Sequence, residues 1–382
     1  MVSLDSTLVM GSKDKVGGDT QDRHILYGKY LTNLSIVVYS KKEQKLIKKR
    51  LSDNVVVYPT SSRKGLFLRD AYKISENICR ENKIDVITTQ DPLLTGLVGY
   101  LLKRKYDIPF NVQLHGNYLN NQYWLGQSKL NYPLNMLGNF VVNKADTIRV
   151  VSDEVRRNLV IKSKFPSEKL IVFPVFVSIR KFAGPQSINH SERFSGFENT
   201  ILFVGRLSEE KNVESLLLAA RKVLDRYPKT LFLIVGDGQM RQKLEKFARE
   251  LKVEPNVRFE GAISYENIPS YYQYCDLLVL PSKHEGWGRV VIEALSCGKP
   301  VVVSDTCGVS EFVAEAKGGF VFPVDNHEIQ SEQLLHLLQN SELRTIMGER
   351  GKERVMETMD INQNAHKYVE LFRKTIELAG AK

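Results

Sequence analysis

Residues 281–305 read PSKHEGWGRVVIEALSCGKPVVVSD, and the order of their parts decides the fold. An apolar run, DLLVLPS (276–282), ends at Pro281-Ser282. A loop carrying Glu285-Gly286-Trp287-Gly288 follows, then a helix from about Arg289 to Ser296, then a second apolar run, KPVVVSD (299–305). Near-continuous Val/Leu/Ile strands separated by one helix belong to a parallel sheet covered on both faces. Ligands of such sheets bind outside the carboxyl ends of the strands, which is where this loop stands.

The same alternation extends in both directions. Upstream lie TILFVGR (200–206), TLFLIVGDG (230–238) and NVRFEG (256–261), and downstream GGFVFP (318–323), with helical spacing over 212–228 and 238–252. A second set, SIVVYS (35–40), DVITTQ (85–90), FNVQLHG (110–116) and TIRVVS (147–152), repeats the pattern in the first half. A chain of 382 residues exceeds one ordinary core, and its 42% hydrophobic content fills two. The expectation is therefore α/β with two Rossmann-like domains. The first covers 1–183 and the second 200–358, joined by a Gly/Pro/Ser/Asn-rich linker at 184–199. An amphipathic helix at 359–382 is expected to pack back on the N-terminal domain.

Four strand ends of the second half carry residues that burial does not favour. At GRLSEEKN (205–212), Gly205 lets backbone approach a ligand, and Arg206 and Lys211 flank the start of a helix, a receptor suited to a diphosphate. A surface turn with two solvated cations would read the same way. VGDG (235–238) lacks the third glycine of a dinucleotide fingerprint, since Arg241 stands there, and suits a tight strand-to-helix turn. In the opening stretch, Glu285 and Glu293 have seven residues between them. On one helix that spacing would bring both carboxylates to one ligand from successive turns. Gly286 and Gly288 offer backbone N–H groups, and Glu293 is an acid in an apolar stretch that needs hydroxyl partners such as those of a ribose. SDTCGVSEFV (304–313) repeats the Gly-containing turn, with Glu311 as either a helix-capping or a ligand-binding acid.

Together these stretches resemble the family 4 retaining glycosyltransferases, whose signature is Glu-x7-Glu and whose fold is GT-B. The match runs through GRLSEEKN, VGDG, VRFEGAI, EGWG, EALSCGKPVVVSD and GGFVFPVDN over roughly 199–325 and is diffuse before that. The resemblance implies two Rossmann-like domains with parallel sheets facing across a cleft. It implies that Arg206 and Lys211 grip the donor diphosphate and that Glu293 meets the ribose. Glu285, with the backbone of Gly286, Trp287 and Gly288, would hold the sugar, and Gly261-Ala262-Ile263 would lie along the base. His115, ending NVQLHG, is similar to the family's histidine facing the transferred sugar, and Gly17-Gly18 to its glycine-rich loop beside the diphosphate. Pro174-Val175-Phe176-Val177-Ser178 departs from the Pro-Asn-Gly-Val-Asp that members commonly carry. The implied reaction moves a sugar, most commonly from a UDP-sugar, to a glycan, glycolipid or other hydroxyl with retention. The nucleotide sugar acts as co-substrate, and no separate cofactor is expected. A nucleotide-sugar epimerase or hydrolase, or a non-catalytic nucleotide-sugar-binding protein, would share the donor residues.

No Asp-x-Asp and no clustered metal-ligand spacing occurs, so no metal site is expected. Four scattered cysteines without a Cys-x-x-Cys pair suit a reducing compartment. The opening MVSLDSTLVM lacks the basic region of a signal peptide, and no apolar run is long enough to span a bilayer. The expectation is a cytoplasmic protein, soluble or peripheral at the inner face of the membrane. The formal charge of +10 is concentrated before residue 191, with KKEQKLIKKR (41–50) and KRK (103–105), either of which a solvated helix face would hold. Such a half suits an anionic membrane surface, a lipid-linked acceptor or a phosphorylated small-molecule acceptor. Nucleic acid is not expected, because no stacking aromatics accompany the lysines.

Overall fold

Each apolar run quoted above becomes a strand in the computed structural model, which describes residues 1–10, 20–175, 177, 179–182, 184 and 190–380. The chain divides into two units, Met1–Pro174 with Asn362–Lys382, and Val175–Ile361.

The first unit is built on eight strands: β1 (Val2–Ser3), β2 (Leu34–Val38), β3 (Lys49–Ser52), β4 (Val55–Pro59), β5 (Ile87–Thr89), β6 (Phe110–Leu114), β7 (Thr147–Val150) and β8 (Leu170–Val172). Their order is β3-β4-β2-β1-β5-β6-β7-β8, and all neighbours are parallel except β3 with β4. The chain leaves β1 toward β2 on one side and returns through β5 on the other, so the topology switches between β1 and β5. The helix Ile361–Gly380 is bound to this sheet by the buried hydroxyls of Thr375 and Thr147, 2.6 Å apart, and by Gln113, whose Nε2 donates to the Tyr368 hydroxyl.

The second unit carries β9 (Asn199–Val204), β10 (Thr230–Val235), β11 (Val257–Gly261), β12 (Leu277–Leu280), β13 (Val301–Ser304) and β14 (Gly319–Phe322). All are parallel, in the order β11-β10-β9-β12-β13-β14. Ile201, Leu202, Phe203, Leu277–Leu280 and Val301–Val303 are fully buried, as expected of strands covered on both faces. The switch point falls between β9 and β12, the position where sheets of this kind commonly receive ligands.

The structure departs from the expected linker, and it decides the open reading of the basic cluster. The stretch 184–199 was expected as a linker, yet the second unit begins at Val175 and its described residues pack on that unit. Gln273 Nε2 donates to the carbonyls of Phe182 at 3.3 Å and Gly184 at 2.7 Å, and the His190 ring lies 4.4 Å from that of Tyr271. A polar composition marked the segment as free, but two of its three rings, His190 and Phe194, are buried, and Phe197 is half-buried. The cluster 41–50 is no helix: Lys42–Gln44 form a single 3₁₀ turn, and Lys49–Ser52 pair antiparallel at the sheet edge. Lysines on an edge strand discourage further strand addition. Among the described residues, no helix is long and apolar enough to cross a membrane.

Candidate functional site

The site in the second unit starts where β9 ends. Gly205 N donates to Val235 O at 3.0 Å, and Leu207 N donates to Asp237 O at 3.0 Å, so the 205–207 turn lies flat against the turn after β10. This contact explains both glycines of VGDG. A Cβ on Gly236, whose φ is +136°, would stand 1.8 Å from Gly205 O, and one on Gly238 would stand 2.4 Å from Leu207 O. The weak fingerprint is therefore a close-packed support for the Arg206 turn. Arg206 itself projects into solvent. A short turn, Glu209–Lys211, leads to Asn212 in the left-handed region (φ 53°) and then to the helix Val213–Arg226.

The loop after β12 meets this turn at several points. Lys283 N donates to Glu210 O at 2.8 Å, and Lys211 Nζ forms a charge-assisted hydrogen bond with Glu285 Oε2. Asp325, after β14, ties the two together by accepting from Asn212 Nδ2 at 3.1 Å and lying 3.6 Å from Lys283 Nζ. From the other side the β13 turn holds Glu285: its carbonyl accepts from Gly308 N at 3.0 Å, beside a parallel bridge to Cys307. The β13 turn thus holds the Glu285 backbone, and the β9 and β14 ends hold Lys283 two residues before it, while the Glu285 carboxylate neutralises the lysine expected to hold a diphosphate.

Glu285 and Glu293 do not share a helix. The helix is Arg289–Ser296, and Glu285 precedes it in the loop. Gly288 makes the turn between them with φ 91°, and a Cβ there would be 3.0 Å from Val309 Cγ1. Glu293, one turn into the helix, is only 6% exposed. A buried carboxylate is costly unless bonded, and Tyr272 Oη donates to its Oε2 at 2.7 Å, with Arg289 3.9 Å from Oε1. Burial first, then the adjacent carboxylate, push the Tyr272 phenol well above its ordinary pKa, so it remains a donor. Tyr272 escaped the sequence reading because it lies on the separate helix Ile268–Tyr274, where an aromatic signals only packing.

The remaining expected residues fall as follows. Trp287 is buried, its ring 6.2 Å from Phe312, and its Nε1 has no hydrogen-bond partner among the described residues. Gly286 is half-buried. Gly261 ends β11 with φ 74°, accepts from Gly236 N at 2.8 Å, and is followed by exposed Ala262 and half-buried Ile263. Gly17 and Gly18 lie outside the described residues.

In the first unit His115 follows β6. Its Nε2 is 2.7 Å from Gln90 Oε1, a pairing that suits the tautomer protonated at Nε2. Desolvation by surrounding protein, then the positive charges of Arg149 and Arg23, lower its pKa, so the ring is neutral near pH 7. The side chain also has an exposed face, and solvent there limits how far such a shift can go. The sequence reading missed Arg149, a buried arginine on β7. It donates to Gln113 Oε1 at 2.7 Å and to the carbonyls of Phe173 and Pro174, each at 2.9 Å.

A model for glycosyl transferases group 1 matches residues 186–354, and one for glycosyltransferase family 4 matches residues 33–181. An uncharacterized glycosyltransferase of Methanocaldococcus jannaschii is 29% identical over 295 residues, 75% of each chain. An alpha-D-kanosaminyltransferase of Streptomyces kanamyceticus is 29% identical over 256 residues, 65% of this chain and 66% of that one. Among solved structures, sucrose-phosphate synthase from Thermosynechococcus elongatus superposes with a TM-score of 0.83 at 20% identity, covering 100% of this chain and 99% of that one. Anabaena HepE in complex with UDP and glucose gives 0.76 at 18% identity, covering 97% and 98%.

Proposed function

Since the chain belongs to the family 4 glycosyltransferases and has their GT-B fold, we propose that it is a retaining enzyme that takes its sugar from a nucleotide diphosphate sugar without a metal ion. The observation that carries this reading is the meeting of Lys211 and Glu285 between the β9 and β12 strand ends. A cation for a diphosphate and a carboxylate for sugar hydroxyls stand side by side, each held by backbone.

In this proposal Arg206 and Lys211 bind the diphosphate, and their charge stabilises it as it departs. Glu293, oriented by Tyr272, accepts from the ribose hydroxyls. Glu285 and the 286–288 backbone hold the sugar, and the 261–263 backbone lies along the base. The neutral His115 ring hydrogen-bonds the transferred sugar rather than acting as an acid. The bond from the anomeric carbon to the diphosphate oxygen breaks as the acceptor oxygen bonds to that carbon on the same face. The departing phosphate oxygen takes the acceptor's proton. UDP is the favoured nucleotide, supported by the complex of the similarly folded HepE with UDP and glucose. The acceptor is a hydroxyl of a glycan, a lipid-linked sugar or a phosphorylated small molecule, and the protein acts inside the cell.

Product stereochemistry tests the mechanism. NMR of the product should show the anomeric configuration of the donor, and an inverted centre would rule out same-face transfer. Release of free sugar at an undiminished rate without any acceptor would instead favour a hydrolase.

A further inference from the structure

The strand that ends at His115 runs into HGNYLNNQYWLGQS (115–128), a stretch without Asp, Glu, Lys or Arg in the half of the chain that carries the positive charge. Amide side chains and the rings of Tyr118, Tyr123 and Trp124 stand there instead.

Asparagine side chains hold the Trp124 backbone from both ends. Asn121 Oδ1 accepts from Trp124 N at 3.2 Å, and Asn131 Nδ2 donates to Trp124 O at 2.6 Å. Asn121 Nδ2 also donates to Asn117 O at 2.8 Å, and Asn117 Nδ2 to Glu154 Oε1 at 3.1 Å. Asn120, with φ 56°, is pinned through its backbone N–H to Asn135 Oδ1 at 2.8 Å and through its Nδ2 to Ser163 Oγ at 2.6 Å. Side-chain bonds of this density set the loop, and the rings it carries, before any ligand arrives.

What this frame presents is a pair of rings. The centroids of Tyr118 and Trp124 lie 5.5 Å apart with the planes tilted by 52°, and both residues are only half-buried. Gly116 joins the pair to His115, since a Cβ there would stand 3.4 Å from Tyr118 Cδ1. One surface thus runs from the histidine through Gly116 to Tyr118 and Trp124.

A pyranose ring has an apolar face of C–H bonds and a rim of hydroxyls. Rigid aromatic rings match the face, and amides with a carboxylate match the rim. A phosphate would find no basic side chain in this loop. Of the two cations whose charge His115 feels, Arg149 is spent on Gln113 and two backbone carbonyls, and Arg23 donates to Thr20 Oγ1 at 3.3 Å. We propose that Tyr118 and Trp124 are the platform for the acceptor, and that the acceptor is a saccharide, stacked on these rings beside His115, rather than a phosphorylated small molecule. This rests on the reading of the protein as a glycosyltransferase and deepens it by naming what receives the sugar.

A printed array tests it, carrying neutral oligosaccharides that end in glucose, galactose, mannose, rhamnose or N-acetylglucosamine, together with 6-phosphates of the hexoses. The intact chain, in the presence of UDP, should be retained by neutral members. Trp124→Ala should weaken that retention about tenfold, and Trp124→Phe, which keeps a ring, should stay within about threefold of the wild type. UDP affinity, titrated separately, should be the same in all three. Should Trp124→Ala lower the thermal midpoint, Tyr118→Ser, which removes the other ring, carries the comparison with the same expected loss. Retention by phosphorylated members alone, no retention of a chain that binds UDP, or equal retention of the ring-deleted variants overturns the proposal. Retention through Trp124 by a chain that binds no nucleoside diphosphate would instead sink the donor reading and leave the saccharide platform standing.

Discussion

Replacing Glu285 with Gln should tighten the binding of UDP while impairing transfer, an unusual pair of effects for one substitution. In the free protein Lys211 is committed to Glu285, and the two side chains are 19% and 20% exposed. Opposite charges about 4 Å apart attract by about 4 kcal/mol at an effective dielectric near 20, but desolvation and side-chain ordering offset most of that. With partial solvent screening, a net ~1 kcal/mol is reasonable for the pair. A diphosphate arriving at Lys211 must displace this partner, and it also meets the carboxylate's own negative charge. Removing the charge should therefore lower the UDP dissociation constant about fivefold. The same substitution weakens a charge-assisted hydrogen bond to the sugar, so kcat/KM should fall by about tenfold to a hundredfold. Isothermal titration with UDP gives the first quantity, and UDP release in the presence of acceptor gives the second. Weaker or unchanged UDP affinity would refute the idea that Glu285 holds the phosphate-binding lysine in reserve.

Other substitutions probe the supports of the site. Tyr272→Phe removes the 2.7 Å hydrogen bond to buried Glu293, so the unfolding free energy should drop by about 1.5–3 kcal/mol; equal stability in urea would mean the carboxylate is held by other means. Asp325→Ala cuts the tie between Asn212 and Lys283, and with a side chain 60% exposed it should raise the donor KM about threefold to tenfold with little change in melting temperature. A large thermal loss with unaltered KM would make Asp325 structural only. His24 is buried, with Nδ1 2.7 Å from Thr20 O, and burial is the main cause lowering its pKa to about 4. The unfolded chain protonates this histidine below about pH 6.5 while the folded chain does so only near 4. Stability should therefore decline as pH falls through that window, by about 2 kcal/mol between pH 7.5 and 5. Denaturant titrations at both pH values should show that part of the loss missing in His24→Gln, and an identical loss would remove the assignment.

The strands were legible because parallel sheets make continuous apolar runs, and β9 to β14 stand out for that reason. Shorter or more polar strands were not: β1 spans two residues, and β3 is the basic stretch Lys49–Ser52, which composition assigns to a helix face as readily as to a sheet edge. The boundary between units was hidden because a Gly/Pro/Ser-rich segment can still pack when a few of its side chains are rings, as at 190–199. In the site, the residues visible in the sequence were those whose type is anomalous for their place, such as Arg206 at a strand end or Glu293 in an apolar stretch. Tyr272, Asp325 and Arg149 were invisible for the opposite reason. Each looks ordinary locally, and its importance comes from a partner distant in the chain: Glu293 for Tyr272, Asn212 for Asp325, and Gln113 with the Phe173 and Pro174 carbonyls for Arg149. Glu285 and Glu293, singled out by their spacing as if on one helix, stand apart in the structure, Glu285 in the loop and Glu293 on the helix.

The most direct test of the donor site is calorimetric titration of the intact chain and of Arg206→Ala/Lys211→Ala with UDP, GDP and ADP. A nucleoside diphosphate, UDP first, should bind the wild type and lose on the order of a hundredfold in affinity when both cations are removed. Binding that the double substitution leaves unchanged, or no binding of any of the three, would contradict the assignment of the diphosphate to the β9 strand end.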